Sequence, residues 1–349
     1  MFAVSTYAPL IPPLRNLITN PEFSVAQRGA GPFTSASVPV NNDDTYLIDG
    51  WVFLAEGADA CDVSSSTSGL PTGSLAGARA KCILDIETAN LKFGVIHFLE
   101  NKDALEIIGG TASLSLKARY VGGTSVSTCR AAILAWSSTS DVVTSDVVST
   151  WDATDAGVTL VANWTSEGSV TFTPTTSWAE FKLENVSIDT ASATNVAVFI
   201  WADDTTATTA GEFLELTDVN LVRGAIATPI VRRSFALELK SAQRTFRRFG
   251  GVTNAPITNG GWITGVSQAL IPLIFPTMRT TVAATFSATA GDYTVSNVTS
   301  AACSSISAAN PSSESFVIVA GTAAVMVAGQ GAYLIATNTT GVINVSAEL

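Results

Sequence analysis

Histidine is almost missing from this chain: His97 is the only one in 349 residues. That excludes Ser-His-Asp and Cys-His nucleophile systems, histidine-based metal sites and most general-base schemes. Charge is scarce as well. Asp, Glu, Lys and Arg together make up 13% of the residues, about half the usual share. No P-loop, G-x-S-x-G or G-x-G-x-x-G appears in a strand–turn–helix context. The four cysteines, Cys61, Cys82, Cys129 and Cys303, form no C-x-x-C pair, so buried free thiols are expected. The opening residues, MFAVSTYAPLIPPLR, lack a basic n-region and are broken by Pro12 and Pro13. They do not read as a signal peptide.

A basic face is also lacking. The net charge is −11, and residues 1–225 hold 25 acidic against 11 basic side chains. Only residues 226–249 are basic, with six bases and Glu238. Nucleic-acid binding needs a broad basic surface to displace phosphate counterions, so that partner class is excluded. A membrane span is weighed at one place, residues 317–336, which carry no charge. Gly321, Gly329, Gly331 and Gln330 interrupt that run and no Lys or Arg flanks it, so two buried strands joined at Gly329-Gln330-Gly331 are expected instead.

What the chain does have is short strands. Ala112–Val121, Cys129–Trp136, Gly168–Pro174, Ala179–Ile188, Asn195–Ala202 and Phe213–Val222 are β-prone runs separated by turn residues. The run AEFKLENVSI alternates apolar and polar but slips once after Glu184, as a bulge would produce. The expected fold is all-β: a jelly-roll β-sandwich over residues 16–225, a linker and basic helix over 226–249, and an all-β domain over 250–349. Residues 1–15 are set apart as a docking leader.

Phe235, Leu239, Ala242, Phe246 and Phe249 recur at spacings of four and three, which predicts a helix over 234–249 with an apolar seam. That seam either lies on the chain's own sandwich or joins sister copies. The last hundred residues carry only Arg279, Asp292, Glu314 and Glu348 as charges. So uncharged a domain would be poorly solvated alone, and burial against further copies of the chain is expected.

For chemistry, paired carboxylates are the only enzymatic option: Asp43/Asp44, Asp152/Asp155, Asp203/Asp204 and Glu212/Glu215. All but the last pair lie in Thr-, Ser- and Ala-rich loop sequence, and the chain is read as a non-enzyme. Aromatics offer sugar-stacking platforms. Trp51, Trp136, Trp178 and Trp201 sit in or beside strands and are assigned to the core. Trp151 and Trp164, flanked by turn and acidic residues, are the candidates for an exposed platform. Loop acids such as Asp203 would hydrogen-bond a sugar beside them.

The string NLITNPEFSVAQRG (Asn16–Gly29) followed by YLIDGW (Tyr46–Trp51) resembles the start of a domain found in bacteriophage tail-fibre and related virion appendage proteins. Pro21-Glu22 stands where those have Gly-Asp, and Gly50 stands for their Arg. Further strings match in order: ILDIETANL, GGTASLSLKARY, TTSWAEFKLENVSI, FLELTDVNLVRGAIATPIVRRSFALELKSAQRTFRRF and IFPTMRTTVAATF. The resemblance spans about residues 16–286. The first domain also resembles carbohydrate-binding modules with a galactose-binding-like jelly roll, whose first and last strands lie side by side.

These resemblances imply a virion structural protein, assembled in the bacterial cytoplasm as a homotrimer and mounted with other virion proteins as a short fibre, spike, or tail- or capsid-borne fibre. They imply host-surface glycan as a ligand and a structural calcium between Glu22 and Asp218; Thr217 stands where a second Asp is often found. NLITNPEFSVAQRG would then be the first edge strand, pinned beside FLELTDVNL. Three functions compete: a glycan-binding appendage, a purely architectural capsid decoration or tail-joining protein, and a polysaccharide depolymerase.

Overall fold

The computed structural model describes residues 14–72, 79–123, 126–153, 156–189, 192–203, 211–258, 260–297, 300–323 and 326–349. Contacts divide the chain into two units. One runs to Glu238 and includes Leu349; the other is Leu239–Glu348. Most of the expected docking leader lies outside the described residues.

The first unit contains β1 (Thr45–Ile48), β2 (Trp51–Ala55), β3 (Cys61–Ser66), β4 (Lys81–Ile86), β5 (Phe93–Leu99), one helical turn α1 (Asn101–Ala104) and β6 (Thr111–Val121). It continues through β7 (Cys129–Trp136), β8 (Val148–Trp151), β9 (Val158–Leu160), β10 (Trp164–Phe172), β11 (Ala179–Ser187), β12 (Asn195–Ala202) and β13 (Phe213–Arg223). Two antiparallel sheets face each other, ordered β1-β2-β5-β12-β7-β10 and β11-β6-β13-β4-β3. The unit is a β-sandwich of the jelly-roll kind.

Alternation builds its core. Leu114, Leu116 and Ala118 of β6 and Leu214, Leu216 and Leu221 of β13 point inward with Val95, Ile133, Val198 and Ile200 from the opposing sheet. Each Leu, Ile or Val among them contributes about 1.5–3 kcal/mol on burial. Two bulges interrupt the five-stranded sheet. The register of β11 on β6 shifts between Leu183 and Val186, where Asn185 has φ 58°, matching the slip read in the sequence. Strand β13 shifts on β6 between Thr217 and Asn220, with Asp218 at φ 54°. Asp tolerates that left-handed conformation, and a bulge there re-aims its side chain.

The inner strands of the six-stranded sheet are buried on both faces. Strands β2, β5 and β12 have no exposed residue along their length, which explains why they read as continuous apolar runs. Their second face carries Val52, Leu54, Ile96, Phe199 and Trp201 and packs under the hairpin β8–β9, through Trp151, Val158 and Leu160.

The second unit begins within the helix α2 (Phe235–Ala242), which straddles the division. It then runs β14 (Phe246–Gly250), β15 (Ala255–Pro256), β16 (Gly261–Gly265), β17 (Gln268–Ile274) and β18 (Ala283–Phe286). Strands β19 (Tyr293–Ser296), β20 (Ser300–Ala309), β21 (Ser315–Thr322), β22 (Gly331–Ala336) and β23 (Val342–Ser346) complete it. One sheet is ordered β14-β23-β18 and the other β15-β22-β16-β17-β21-β20-β19. Because β19 also pairs with β22, six strands close on themselves around Ile271, Tyr293, Phe316 and Leu334. Closure removes the open edges of so apolar a sheet. Residues 317–336 supply parts of β21 and all of β22. These strands are not joined by a tight Gly-Gln-Gly turn, and no described helix is long and apolar enough to cross a membrane.

The helix expected over 234–249 is half helix and half strand. Helix α2 ends at Ala242, where Thr245 bonds back to the Ala242 carbonyl through its amide and its hydroxyl, both at 3.0 Å. Phe246–Gly250 then pairs with β23. A four-three spacing over so few residues fits both structures, and pairing with β23 decides between them. The seam residues are therefore dispersed. Ala242 and Phe246 are buried, Phe249 packs on the second unit's own core 6.2 Å from Phe275, Leu239 is half-buried, and Phe235 is exposed.

Candidate functional site

The opening string folds as a hydrogen-bonded clip rather than as an edge strand. Asn16 donates through Nδ2 to the Val219 carbonyl (3.0 Å) and accepts at Oδ1 from the amides of Ile18 (3.0 Å) and Leu221 (3.1 Å). The Leu17 amide bonds to the Leu221 carbonyl (2.9 Å). The segment does lie beside β13, but by the Asn16 side chain and two isolated backbone bonds, Leu17 to Leu221 and Val219 to Pro21, in place of a ladder. Asn20, with φ 56°, gives Nδ2 to the carbonyls of Val25 and Asp49 (2.9 Å each). Buried Asp49 accepts from the Gln27 amide (2.6 Å) and side chain (2.8 Å), with Arg28 at 3.8 Å. Trp51 donates to the Asn20 carbonyl (3.1 Å) and lies against Phe23 and His97. The Asn, Gln-Arg and Asp-Gly-Trp pieces of the string are thus one structural cluster and do not form a ligand site.

His97 completes the clip. Its Nδ1 sits 2.7 Å from the Gly50 carbonyl, and the Thr19 amide is 3.3 Å from its Nε2. Nδ1 must donate and Nε2 must accept, which fixes the neutral tautomer.

The platform residues chosen from sequence are placed differently from expectation. Trp164 is only 4% exposed, donates its indole N–H to the Thr144 carbonyl (2.9 Å), and lies between Phe98 and Trp136. It is a core residue and cannot stack on a sugar. Trp151 is half-buried, edge-on to Phe199 at 6.0 Å, and holds the hairpin to the sheet. Asp203 is fully buried and is an anchor. It accepts from Lys92 (2.8 Å), Arg130 (2.6 Å) and the Gly157 amide (3.1 Å). Lys92 also donates to the carbonyls of Asp152 and Ala153. Burial alone would raise the Asp203 carboxyl, but the bonds from Lys92 and Arg130 outweigh it and hold the group below the usual carboxylate range. Asp155 and Asp204 lie outside the described residues.

Glu22 and Asp218 do converge, as the resemblance implies, but a guanidinium rather than a calcium-binding gap joins them. Arg79 donates Nε to Glu22 (2.7 Å) and a terminal nitrogen to Asp218. Arg232 bonds to Glu22 (2.6 Å) and Asp218 (3.3 Å), and Lys117 to Asp218 (2.8 Å). Ca²⁺ wants unprotonated oxygens free to turn toward it. With Arg79, Lys117 and Arg232 already on these oxygens, the residues do not fit that ion. Burial pushes Asp218 up, and the bonds from Arg79 and Lys117 more than reverse it.

A groove opens beside this cluster. Its cavity is about 340 Å³, lined by Ser24, Ala26, Ala30, Ser65, Ser66, Thr67, Arg79, Ala80 and Phe235. Hydroxyls come from the opening clip and the end of β3, the guanidinium from the approach to β4, and an aromatic face, 45% exposed, from the start of α2. The loop after β3 continues to Gly69, whose carbonyl accepts from the indole of Trp178 (2.9 Å). Arg119 lies 4.9 Å from that indole ring and bonds to Glu215 (2.6 Å), which also takes Lys81 (2.6 Å). Trp178, assigned to the core from sequence, is therefore half-exposed. Its flanks, TTSW and AEFK, carry no signal of which face it would take. Nothing in the sequence marked Phe235 as lining a groove, because its spacing suited a helical seam.

No family model matches this chain, and no curated protein does. Among solved structures, a family 4 carbohydrate-binding module is 14% identical, with 59% of this chain and 99% of that one covered, at a TM-score of 0.31. The module TmCBM61, solved with β-1,4-galactotriose, is 13% identical over 60% of this chain and 99% of its own, at 0.33. The enzymatically active domain of tailspike protein 4 from bacteriophage CBA120 is 12% identical over 56% of this chain and 21% of its own, at 0.32. Likeness at these scores bears on none of the assignments that follow.

Proposed function

We propose that this chain is a structural protein of a bacteriophage virion, mounted as a short fibre, spike, or tail- or capsid-borne fibre, and that its N-terminal sandwich binds host-surface glycan. The observation that carries the binding reading is the groove: the hydroxyls of Ser24, Ser65, Ser66 and Thr67, a guanidinium and the open face of Phe235 around about 340 Å³. Sugars are held by stacking of their apolar faces on aromatic rings and by hydrogen bonds to their hydroxyls, and the volume lies within the usual range for ligand pockets. The ordered strings from Asn16 to Phe286 support the virion reading.

Removing the ring tests the site. In the full chain, Phe235→Ala leaves stability within about 0.5 kcal/mol of the parent, as for an exposed residue, and abolishes binding of host polysaccharide in calorimetry. Binding that survives the substitution excludes this groove. Gold-labelled antibody on purified particles tests the virion reading, and particles without gold refute it.

A purely architectural role is favoured by a different observation. In the second unit, Trp262 stands opposite Leu270, Leu270 opposite Val319, and Pro272 opposite Val317. This sheet face is apolar and uncharged, with Trp262 and Ile274 exposed. Burying it against sister copies in a homotrimer would supply the missing solvation. Light scattering of the full chain checks this, and a monomeric mass refutes it.

A further inference from the structure

At the end of the five-stranded sheet where Ser66 pairs with Lys81, the outer face gathers cations within a strongly acidic unit, while Asp62 and Asp85 stand opposite each other nearer the other end. Residues 1–225 contain 11 cations against 25 acids. Four of those cations, Arg79, Lys81, Lys117 and Arg119, meet on this one face, and Arg232 joins them. Three carboxylates bond to them directly: Glu22, Glu215 and Asp218. Glu180 stands opposite Lys117 and pairs with Lys182, so six cations against four carboxylates leave an excess of two positive charges at this end of the face. The oxygens are already taken: Glu215 receives Lys81 and Arg119 on its two separate atoms, and Asp218 receives three cations.

The excess is aimed at the groove. Arg79 lines it, and Lys117 and Arg232 meet Arg79 through the shared Asp218. The Arg79 and Lys81 side chains are almost wholly buried, while Lys117, Arg119 and Arg232 keep a fifth to two-fifths of theirs open. Cations held in partly water-excluded surroundings project a field that water screens poorly, and a cleft between them concentrates it. The remaining lining is hydroxyl and aromatic, which suits a sugar ring better than a bare anion.

We propose that the groove is selective for an acidic saccharide, one bearing a carboxylate, sulfate or phosphate on a sugar ring placed over Phe235. This rests on the glycan-binding reading above and adds the charge of the ligand to it. The excess positive charge beside Arg79 pairs with the acidic group, the ring lies on Phe235, and Ser24, Ser66 and Thr67 meet the hydroxyls.

The test compares trigalacturonate with galactotriose by calorimetry on the full chain, with inorganic sulfate and polyacrylate as controls. The acidic trisaccharide should bind at least about tenfold more tightly at low salt. That advantage should shrink between about 0.01 M and about 0.1 M salt, as the screening length falls from about 30 Å to about 10 Å. Lys117→Gln, at a half-buried position, should lower affinity for the acid alone.

Equal affinity for the two trisaccharides, or an acid preference indifferent to salt, overturns the charge inference and leaves the glycan reading standing. Binding of neither saccharide overturns both. Polyacrylate or sulfate matching trigalacturonate also overturns the inference, since the site is then a general anion sink. The salt series uses the parent chain, so it decides the matter even if a variant folds poorly.

Discussion

The single histidine makes a clean acid titration. His97 is buried, with Nδ1–H held by Gly50 and Nε2 receiving the Thr19 amide. Burial is the main force lowering its pKa; the bond to Gly50 opposes it, Arg233 adds to it and Asp103 opposes it, and the result is pushed down from 6.5 to about 4. Protonating Nε2 would also turn an acceptor into a donor facing a donor. In the unfolded chain the ring titrates near 6.5, so between about 6.5 and about 4 the unfolded state binds more protons than the folded one. Stability from this group is therefore complete above about 6.5 and is lost as pH falls toward 4, by about 3 kcal/mol.

Urea unfolding of the parent and of His97→Gln from neutral pH to pH 4 isolates this contribution. The parent's stability minus the variant's should fall by that amount, whatever the variant's offset at neutral pH. The lone imidazole resonance in NMR reports the same site directly. A midpoint near 6.5, or a difference that stays flat across the range, refutes the buried neutral tautomer.

Arg79→Met should cost about 3–5 kcal/mol in unfolding measurements by leaving Glu22 and Asp218 short of their central cation. Chelator should leave the parent's melting temperature unchanged, and a chelator-induced drop would restore the calcium reading. Asp203→Ala should leave Lys92 buried and unpaired at a cost of similar size. It should also free the β8–β9 hairpin, seen as faster limited proteolysis between Val148 and Leu160 with the β12 amides still protected from exchange.

Strands were the most legible part of the sequence. Asn195–Ala202 and Cys129–Trp136 were read with the bounds they have as β12 and β7, because each is a short apolar or alternating run with turn residues at both ends. The bulge in β11 was legible too, as a slip in alternation. Less legible was what covers a sheet's second face. The unbroken apolar run NVAVFIWA signals burial on both sides, but not that VSTW and VTL would do the covering. For the same reason Trp151 and Trp164, set among turns and acids, looked exposed although they belong to that second layer. The charge cluster of Glu22, Arg79, Lys117, Asp218 and Arg232 was illegible because its members are far apart in the chain, and only folding brings them together. Glu22 and Asp218 were identified as neighbours, while Arg79 between them carried no local signal.

The clip at Asn16 also has a mechanical consequence. The incoming segment Asn16–Pro21 and the outgoing strand at Val219–Leu221 run antiparallel, joined by four bonds: one donated and one accepted by the Asn16 side chain, one from the Leu17 amide and one to the Pro21 carbonyl. Tension applied between Asn16 and Arg223 meets these bonds first. In that arrangement they open one after another, as a zipper does, and yield at low force. The two sheets take up load only once the clip has opened.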